Sequence, residues 1–196
     1  MVLIMVMLWN RKLARLNRKI ASTNRKLQDK TRELEHISIT DSLTNLYNRR
    51  YVEKTFELEL RRTIRHKRDL SLMLIDFDFF KAINDTFGHQ VGDGVLRMFA
   101  NLLKTNIRAT DTLGRWGGEE FIILCPEINL DNAVHMAQGL CQKVSQTPFE
   151  VAGTQTASFG VTAFKEGDDI HAMISRADNA LYQAKTRGRN RVESLA

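Results

Sequence analysis

Residues Arg115-Trp-Gly-Gly-Glu-Glu-Phe121 constrain this chain more than any other stretch. Gly117-Gly118 is a two-residue turn signal, and strand-forming residues flank it at 113–116 and 121–124. That pattern predicts a β-hairpin. Glu119 and Glu120 then sit at its tip. Adjacent like charges do nothing for a hairpin's stability, whereas a site that holds divalent metal against phosphates needs them. A solvated acidic turn is the plain alternative, and the rest of the chain decides between the two.

Strand and helix signals alternate around the hairpin. A helix is expected over 48–66, a buried strand over 70–76, a short helix over 79–84 and a longer one over 92–106. In the last of these, Val95, Leu96, Phe99, Leu102 and Leu103 share one face. After the hairpin come a helix over 129–146, a strand over 155–162, a helix over 170–186 and a short last strand at 191–192. The fold class this order predicts is α+β: a ferredoxin-like, palm-type antiparallel sheet flanked by helices. Cys125 and Cys141 lack metal-ligand spacing and any activating context, so they are expected as small buried hydrophobes.

Three segments are expected. Residues 1–9 are an uninterrupted apolar stub, 10–37 a basic coiled-coil arm, and 38–196 the globular domain. A spanning helix needs about 20 apolar residues, so the stub alone is too short. Followed at once by dense Lys and Arg, it reads as the cytoplasmic end of a transmembrane helix. Over 10–36 the arm carries nine basic and three acidic residues, and 9 − 3 = 6 accounts for the whole net charge of +6. The body is therefore neutral overall, which argues against nucleic acid as its partner. Leu13, Ile20, Leu27 and Leu34 recur every seven residues, with Leu16, Thr23, Lys30 and Ile37 between them. This is an a/d seam, and it predicts a parallel homodimer.

The chemistry concentrates in a few side chains. Asp76 ends the first long strand beside the hairpin carrying Glu119 and Glu120, the way palm-like folds assemble a two-metal phosphoryl-transfer site. Lys81 can meet a phosphate as a point charge. Asn84 and Asp93 offer hydrogen-bonding groups for a purine edge, and Lys185 and Arg189 add cations for a triphosphate tail. Each has a plainer reading. Asp78 is placed to cap the helix that follows, Asn84-Asp85 are turn residues, Lys185 and Arg189 complement a helix C-terminus, and Phe77, Phe79 and Phe80 belong to the core.

Taken in order, Asp41-x-Leu-Thr-x-Leu-x-Asn-Arg-Arg50, Asp76-x-Asp-x-Phe-Lys-x-x-Asn-Asp85, Gly88-His-x-x-Gly-Asp93, Arg115-x-Gly-Gly-Glu-Glu-Phe121 and Ala177-Asp-x-Ala-Leu-Tyr-x-Ala-Lys185 resemble the GGDEF family of diguanylate cyclases. The resemblance covers about residues 38–194, and Glu119 makes this the GGEEF variant. It implies an enzyme that condenses two GTP into cyclic di-GMP and two pyrophosphates across a homodimer, with Mg²⁺ (or Mn²⁺), two ions per active site. The metal ligands fall on Asp76, the carbonyl of Phe77 and Glu119, with Glu120 a further acidic group and candidate base. Asn84 and Asp93 match guanine-reading positions, Phe80 the base-pocket wall, and Lys81, Lys185 and Arg189 phosphate-binding positions. Arg108-x-x-Asp111 matches an inhibitory product site. The resemblance also implies an upstream membrane sensor and a place at the cytoplasmic face of the inner membrane, with the piece in hand soluble. The alternative is a catalytically silent receptor for GTP or cyclic di-GMP.

Overall fold

The computed structural model describes Trp9, residues 11–13 and 15–26, Lys30, and residues 39–196. The chain divides into two units, 1–39 and 40–196. In the first, every described residue is helical, and Leu13, Leu16 and Ile20 are about half exposed. Residues 1–8 and the seam positions Leu27, Leu34 and Ile37 lie outside the described residues. No helix among the described residues is long and apolar enough to cross a membrane.

The second unit is built on β2 (Leu70–Phe77), which is buried at all eight positions. Side chains alternate across a strand, so β2 feeds two separate cores. Met73, Ile75 and Phe77 enter one, and Leu70, Leu72 and Leu74 enter the other. β4 (Glu120–Pro126) and β7 (Ala157–Ala163) flank β2, both antiparallel to it. β3 (Thr112–Gly117) pairs outside β4, while β1 (Tyr47–Asn48) and β8 (Val192–Ser194) close the edges. The six-stranded order is β1-β3-β4-β2-β7-β8. The four inner strands follow the ferredoxin-like order and are antiparallel, as expected. The two edge strands pair in parallel, which the sequence reading did not foresee. A separate two-stranded ribbon joins β5 (Pro148–Phe149) to β6 (Gly153–Thr154).

Helices cover both faces. Val52 and Phe56 of α1 (Arg49–His66) pack with Met173, Ala177 and Leu181 of α5 (Ile170–Thr186) on one side. On the other lie α2 (Phe80–Phe87), α3 (His89–Thr105) and α4 (Leu130–Gln146). Local chemistry sets their starts. The side chains of Asn48, Asn129 and Asp169 accept the N–H groups of Tyr51, Asn132 and Ala172 at 3.0, 3.0 and 2.7 Å, each satisfying a donor the helix itself leaves open. α3 begins three residues earlier than its apolar pattern indicated. Gly88, at φ +83°, turns the chain sharply between α2 and α3, so helix resumes at His89.

Gly160 of β7 lets α5 approach closely. A Cβ there would lie 2.1 Å from the carbonyl oxygen of Ala177 and 2.3 Å from the amide nitrogen of Leu181, both backbone atoms that cannot step aside. Gly160→Ala should therefore destabilise the domain by about 2–4 kcal/mol. Gly139→Ala, on a helix surface with open space around it, should instead stabilise by about 0.5–1 kcal/mol. Urea unfolding of both variants checks the contrast; similar midpoints would contradict the close-packing assignment.

Candidate active site at the sheet end

The hairpin differs from its expected form in a way that matters for the site. The turn residues are Gly118 and Glu119, not Gly117 and Gly118, and a register irregularity falls between Arg115 and Gly117. Gly117 thereby pairs with Glu120, and the two glutamates separate in role. Glu120 is the first residue of β4 and lies directly opposite Asp76 of β2. Glu119 stays on the turn, where its carbonyl accepts the Phe77 N–H at 3.3 Å. Register thus brings Asp76, Phe77, Glu119 and Glu120 together.

The Arg115 guanidinium fixes the turn. Its Nε and Nη2 donate to the carbonyl of Gly118 at 2.9 and 2.7 Å. Nη1 donates to both oxygens of Asp41 at 3.1 and 3.2 Å. Asp41 also accepts the N–H and hydroxyl of Thr44 at 2.9 and 2.7 Å. Burial works to raise the Asp41 carboxyl, but the hydrogen bonds from Thr44 and the Arg115 charge outweigh it and hold it below its usual range. Arg115 heads the hairpin motif in the sequence, but its clamp between Asp41 and the Gly118 carbonyl spans 74 residues and carries no sequence signal of its own.

Asp76 is half of an ion pair with Lys185, at 2.7 Å. Its carboxyl is nevertheless raised to about 6, because burial outweighs the pull of Lys185 and because Glu119 and Glu120 repel its charge. A buried carboxylate held against its preference, beside two more acids, is the environment a divalent cation relieves. Among the described residues no three His, Cys, Asp or Glu side chains converge into a complete cage. Fewer than three carboxylates with one carbonyl would leave the remaining positions to water and phosphate oxygens, which fits Mg²⁺ and its reluctance to dehydrate.

The predicted base-side residues lie on the other face of the sheet. Asn84 is on α2 and Asp93 on α3, both half-buried, and Phe80 is buried at the start of α2. Gly92 is what lets these helices meet: a Cβ there would fall 1.9 Å from Asn84 Oδ1 and 3.2 Å from Phe80 Cζ. Lys81 is exposed on α2. Phe77 is core, in edge-on contact with Phe80, Phe99 and Phe149 at 6.0, 5.0 and 5.4 Å, so only its backbone faces the site. Phe79 is not core at all, being 63% exposed. Asp78 is not a helix cap. It is buried and accepts hydrogen bonds from Thr156 Oγ1, Ser158 Oγ and the Asn190 N–H at 2.7, 2.8 and 3.1 Å.

Two further features stand apart. Asp111 is buried, with one carboxylate oxygen accepting the Arg108 N–H at 3.0 Å and the other, Oδ1, without a partner. A cavity of ≈ 450 Å³ beside Glu120 is lined by Leu74, Trp116, His171, Ser175 and Asp178 among others, none of which sequence reasoning had marked except as part of a longer pattern. Cys125 and Cys141 are buried and unpaired, and burial pushes both thiols up, away from reactivity.

Sheet order and the acidic rung at its end define a palm-type α+β domain. Residues 38–191 match the family model described as diguanylate cyclase, GGDEF domain. The chain is 45% identical over 166 residues to the response regulator PleD of Caulobacter vibrioides, covering 82% of this chain and 37% of that protein. It is 40% identical over 159 residues to the diguanylate cyclase DgcP of Pseudomonas aeruginosa, covering 80% and 24%. Among solved structures, the coiled coil and GGDEF domain of DgcB from Caulobacter crescentus, in complex with c-di-GMP, superposes with TM-score 0.86 at 29% identity, over 93% of this chain and 98% of that one. The active GGEEF domain of a diguanylate cyclase from Vibrio cholerae gives TM-score 0.73 at 38% identity, over 76% and 97%. The chain belongs to the GGDEF-domain family of diguanylate cyclases. It spans between 24% and 37% of the length of the two curated relatives.

Asp76 generates a prediction for the nucleotide-free protein. A folded carboxyl raised to about 6 from 3.8 takes up a proton more readily than the unfolded chain does, so it destabilises the fold above that value and ceases to do so below 3.8. Asp76→Asn should raise stability by about 1–3 kcal/mol at pH 7.5, and the gain should shrink as pH falls from 7 toward 4. Thermal melts in chelator across that range check it; a gain independent of pH would contradict the assignment.

Proposed function

We propose that this chain is the catalytic part of a diguanylate cyclase that converts two GTP into cyclic di-GMP and two pyrophosphates. The observation that carries the reading is the rung Asp76–Glu120, with Glu119 on the adjoining turn and Lys185 already bound to Asp76. Asp76, the Phe77 carbonyl and Glu119 would hold two Mg²⁺, or Mn²⁺ in their place. When bound, such ions neutralise phosphate charge and polarise the α-phosphate. Asn84 and Asp93 read guanine against Phe80, and Lys81, Lys185 and Arg189 take the triphosphate.

In each half-reaction a ribose 3′-oxygen forms a bond to the α-phosphorus of the other GTP. The α–β bridging bond breaks, pyrophosphate leaves, and the hydroxyl proton passes to Glu120. The cavity beside Glu120 leaves room for that second reactant. One domain binds one GTP, so two copies must face each other. The arm's half-exposed Leu13, Leu16 and Ile20 support pairing with a second copy, which supplies effective concentration. A membrane sensor upstream would act by altering that pairing. The Arg108-x-x-Asp111 turn, closed by the Arg108 N–H on the Asp111 carboxylate, supports an inhibitory product site, since a guanidinium and a carboxylate together offer the donors and acceptors that guanine matches.

Incubation with GTP and Mg²⁺ should yield cyclic di-GMP by mass spectrometry, and Glu120→Gln should lower turnover by at least about 10²-fold, within the range of a lost general base. GTP bound but unconverted by a dimeric wild-type chain would overturn the reading in favour of a receptor. Arg108→Ala should raise the cyclic di-GMP concentration for half-inhibition by about ten-fold, the worth of a charge-assisted contact. An unchanged inhibition curve would remove the product site from this position.

A further inference from the structure

We infer that Phe79 is a positioning residue for the triphosphate, its ring holding the Arg189 guanidinium where the phosphates arrive while Asp78 holds the loop that carries it. The inference rests on the GTP-binding reading above. Phe79 is anomalous on two counts. It stands in the left-handed region, at φ 57°, where an aromatic side chain is strained. It is also 63% exposed, so it gives up the burial that would otherwise justify a phenyl ring. As the residue before α2 it supplies no side-chain cap either. Strain kept without a stability return marks a position held for function.

Among the described residues, the ring has a cationic partner. Arg189 Cζ lies 4.6 Å from its centroid, within cation–π range. Arg189 belongs to a loop as unusual as Phe79. Gly188, Arg189 and Asn190 have successive φ values of 111°, 61° and 47°. Such a run persists only where its surroundings over-determine it. Here the Arg189 N–H donates to the Ala184 carbonyl at 2.9 Å, and the Asn190 N–H donates to Asp78 Oδ2 at 3.1 Å. The same carboxylate is anchored by Thr156 and Ser158 of the opposite chain segment. Two successive residues therefore act on one loop: Asp78 holds its backbone through the Asn190 N–H, and Phe79 holds the guanidinium of its phosphate-seeking arginine. Arginine's planar group keeps its donors at the edge when its face rests on a ring, so the stacked cation remains free to hydrogen-bond phosphate. Phe79 acts through Arg189 and need not touch the nucleotide.

The test is binding, by isothermal titration, of a non-hydrolysable GTP analogue and of GMP, each with Mg²⁺, to wild type, Phe79→Leu and Phe79→Tyr. Leucine keeps an apolar side chain of similar reach but has no π face. Phe79→Leu should bind the triphosphate about 2–5-fold more weakly, the worth of an exposed cation–π contact, and GMP as wild type does. Phe79→Tyr should match wild type for both. Thermal melts of the variants at or above the wild-type midpoint would show that the loss is not unfolding. Equal triphosphate affinity in wild type and Phe79→Leu overturns the inference alone, as does an equal loss for GMP. Failure of wild type to bind the triphosphate overturns the GTP reading itself, and this inference with it.

Discussion

Burial of β2 on both faces is the constraint from which the rest of the domain follows. A strand covered above and below must be flanked by two partners and two helical layers, because its backbone groups cannot be left unpaired in either core. β4 and β7 fill the flanking positions, and their register is set by which side chains must face which core. A slip of one residue would turn Leu72 and Leu74 into the space of Met73 and Ile75. The same register fixes what meets at the strand's end, where the apolar alternation gives way to Asp76. The acidic rung is thus held in place by hydrophobic packing several residues away.

Electrostatics at that end is deliberately unsettled. Asp76 is pushed toward its neutral form by burial and by the two glutamates, and pulled back by Lys185. Nothing in the apolar core requires this; a neutral residue would sit there more comfortably. The arrangement makes sense as a site with an unmet demand for positive charge that Lys185 meets in part. Under the proposed function, a cation bound to the carboxylate would leave the ammonium for a phosphate, so no charge would be stranded in a low-dielectric pocket.

Most of the fold was legible because its elements carry strong periodic signals. The apolar run of β2 and the shared apolar face of α3 each point one way, whereas the caps at Asn129 and Asp169 emerge only in the folded chain. What was not legible depends on contacts distant in sequence. The parallel edge strands are only two or three residues long and have no pattern of their own. The true turn at Gly118-Glu119 follows from a bulge that shifts register, which two adjacent glycines cannot reveal. Asp78 looked like a cap because Asx residues before helices usually are, yet tertiary donors from Thr156, Ser158 and Asn190 claim it. For Phe79 the plainer reading, core over base-stacking, fails because its left-handed backbone and exposure are invisible in sequence. For the site, residue types in order name candidate acids and cations, and the fold gathers Asp76, Glu119, Glu120 and Lys185 at one end of the sheet. Their sorting into turn and strand, and the Arg115 clamp between Asp41 and Gly118, needed the folded chain.

The edges of the sheet carry a consequence for crowded domains. β1 is two residues long, with Tyr47 already bridged by Thr40, and β8 is three, so neither edge is long enough to template a stable intermolecular ladder. Long open edges turn encounters between domains into sheet fusion and aggregation, and blunt edges let domains meet and part without that outcome.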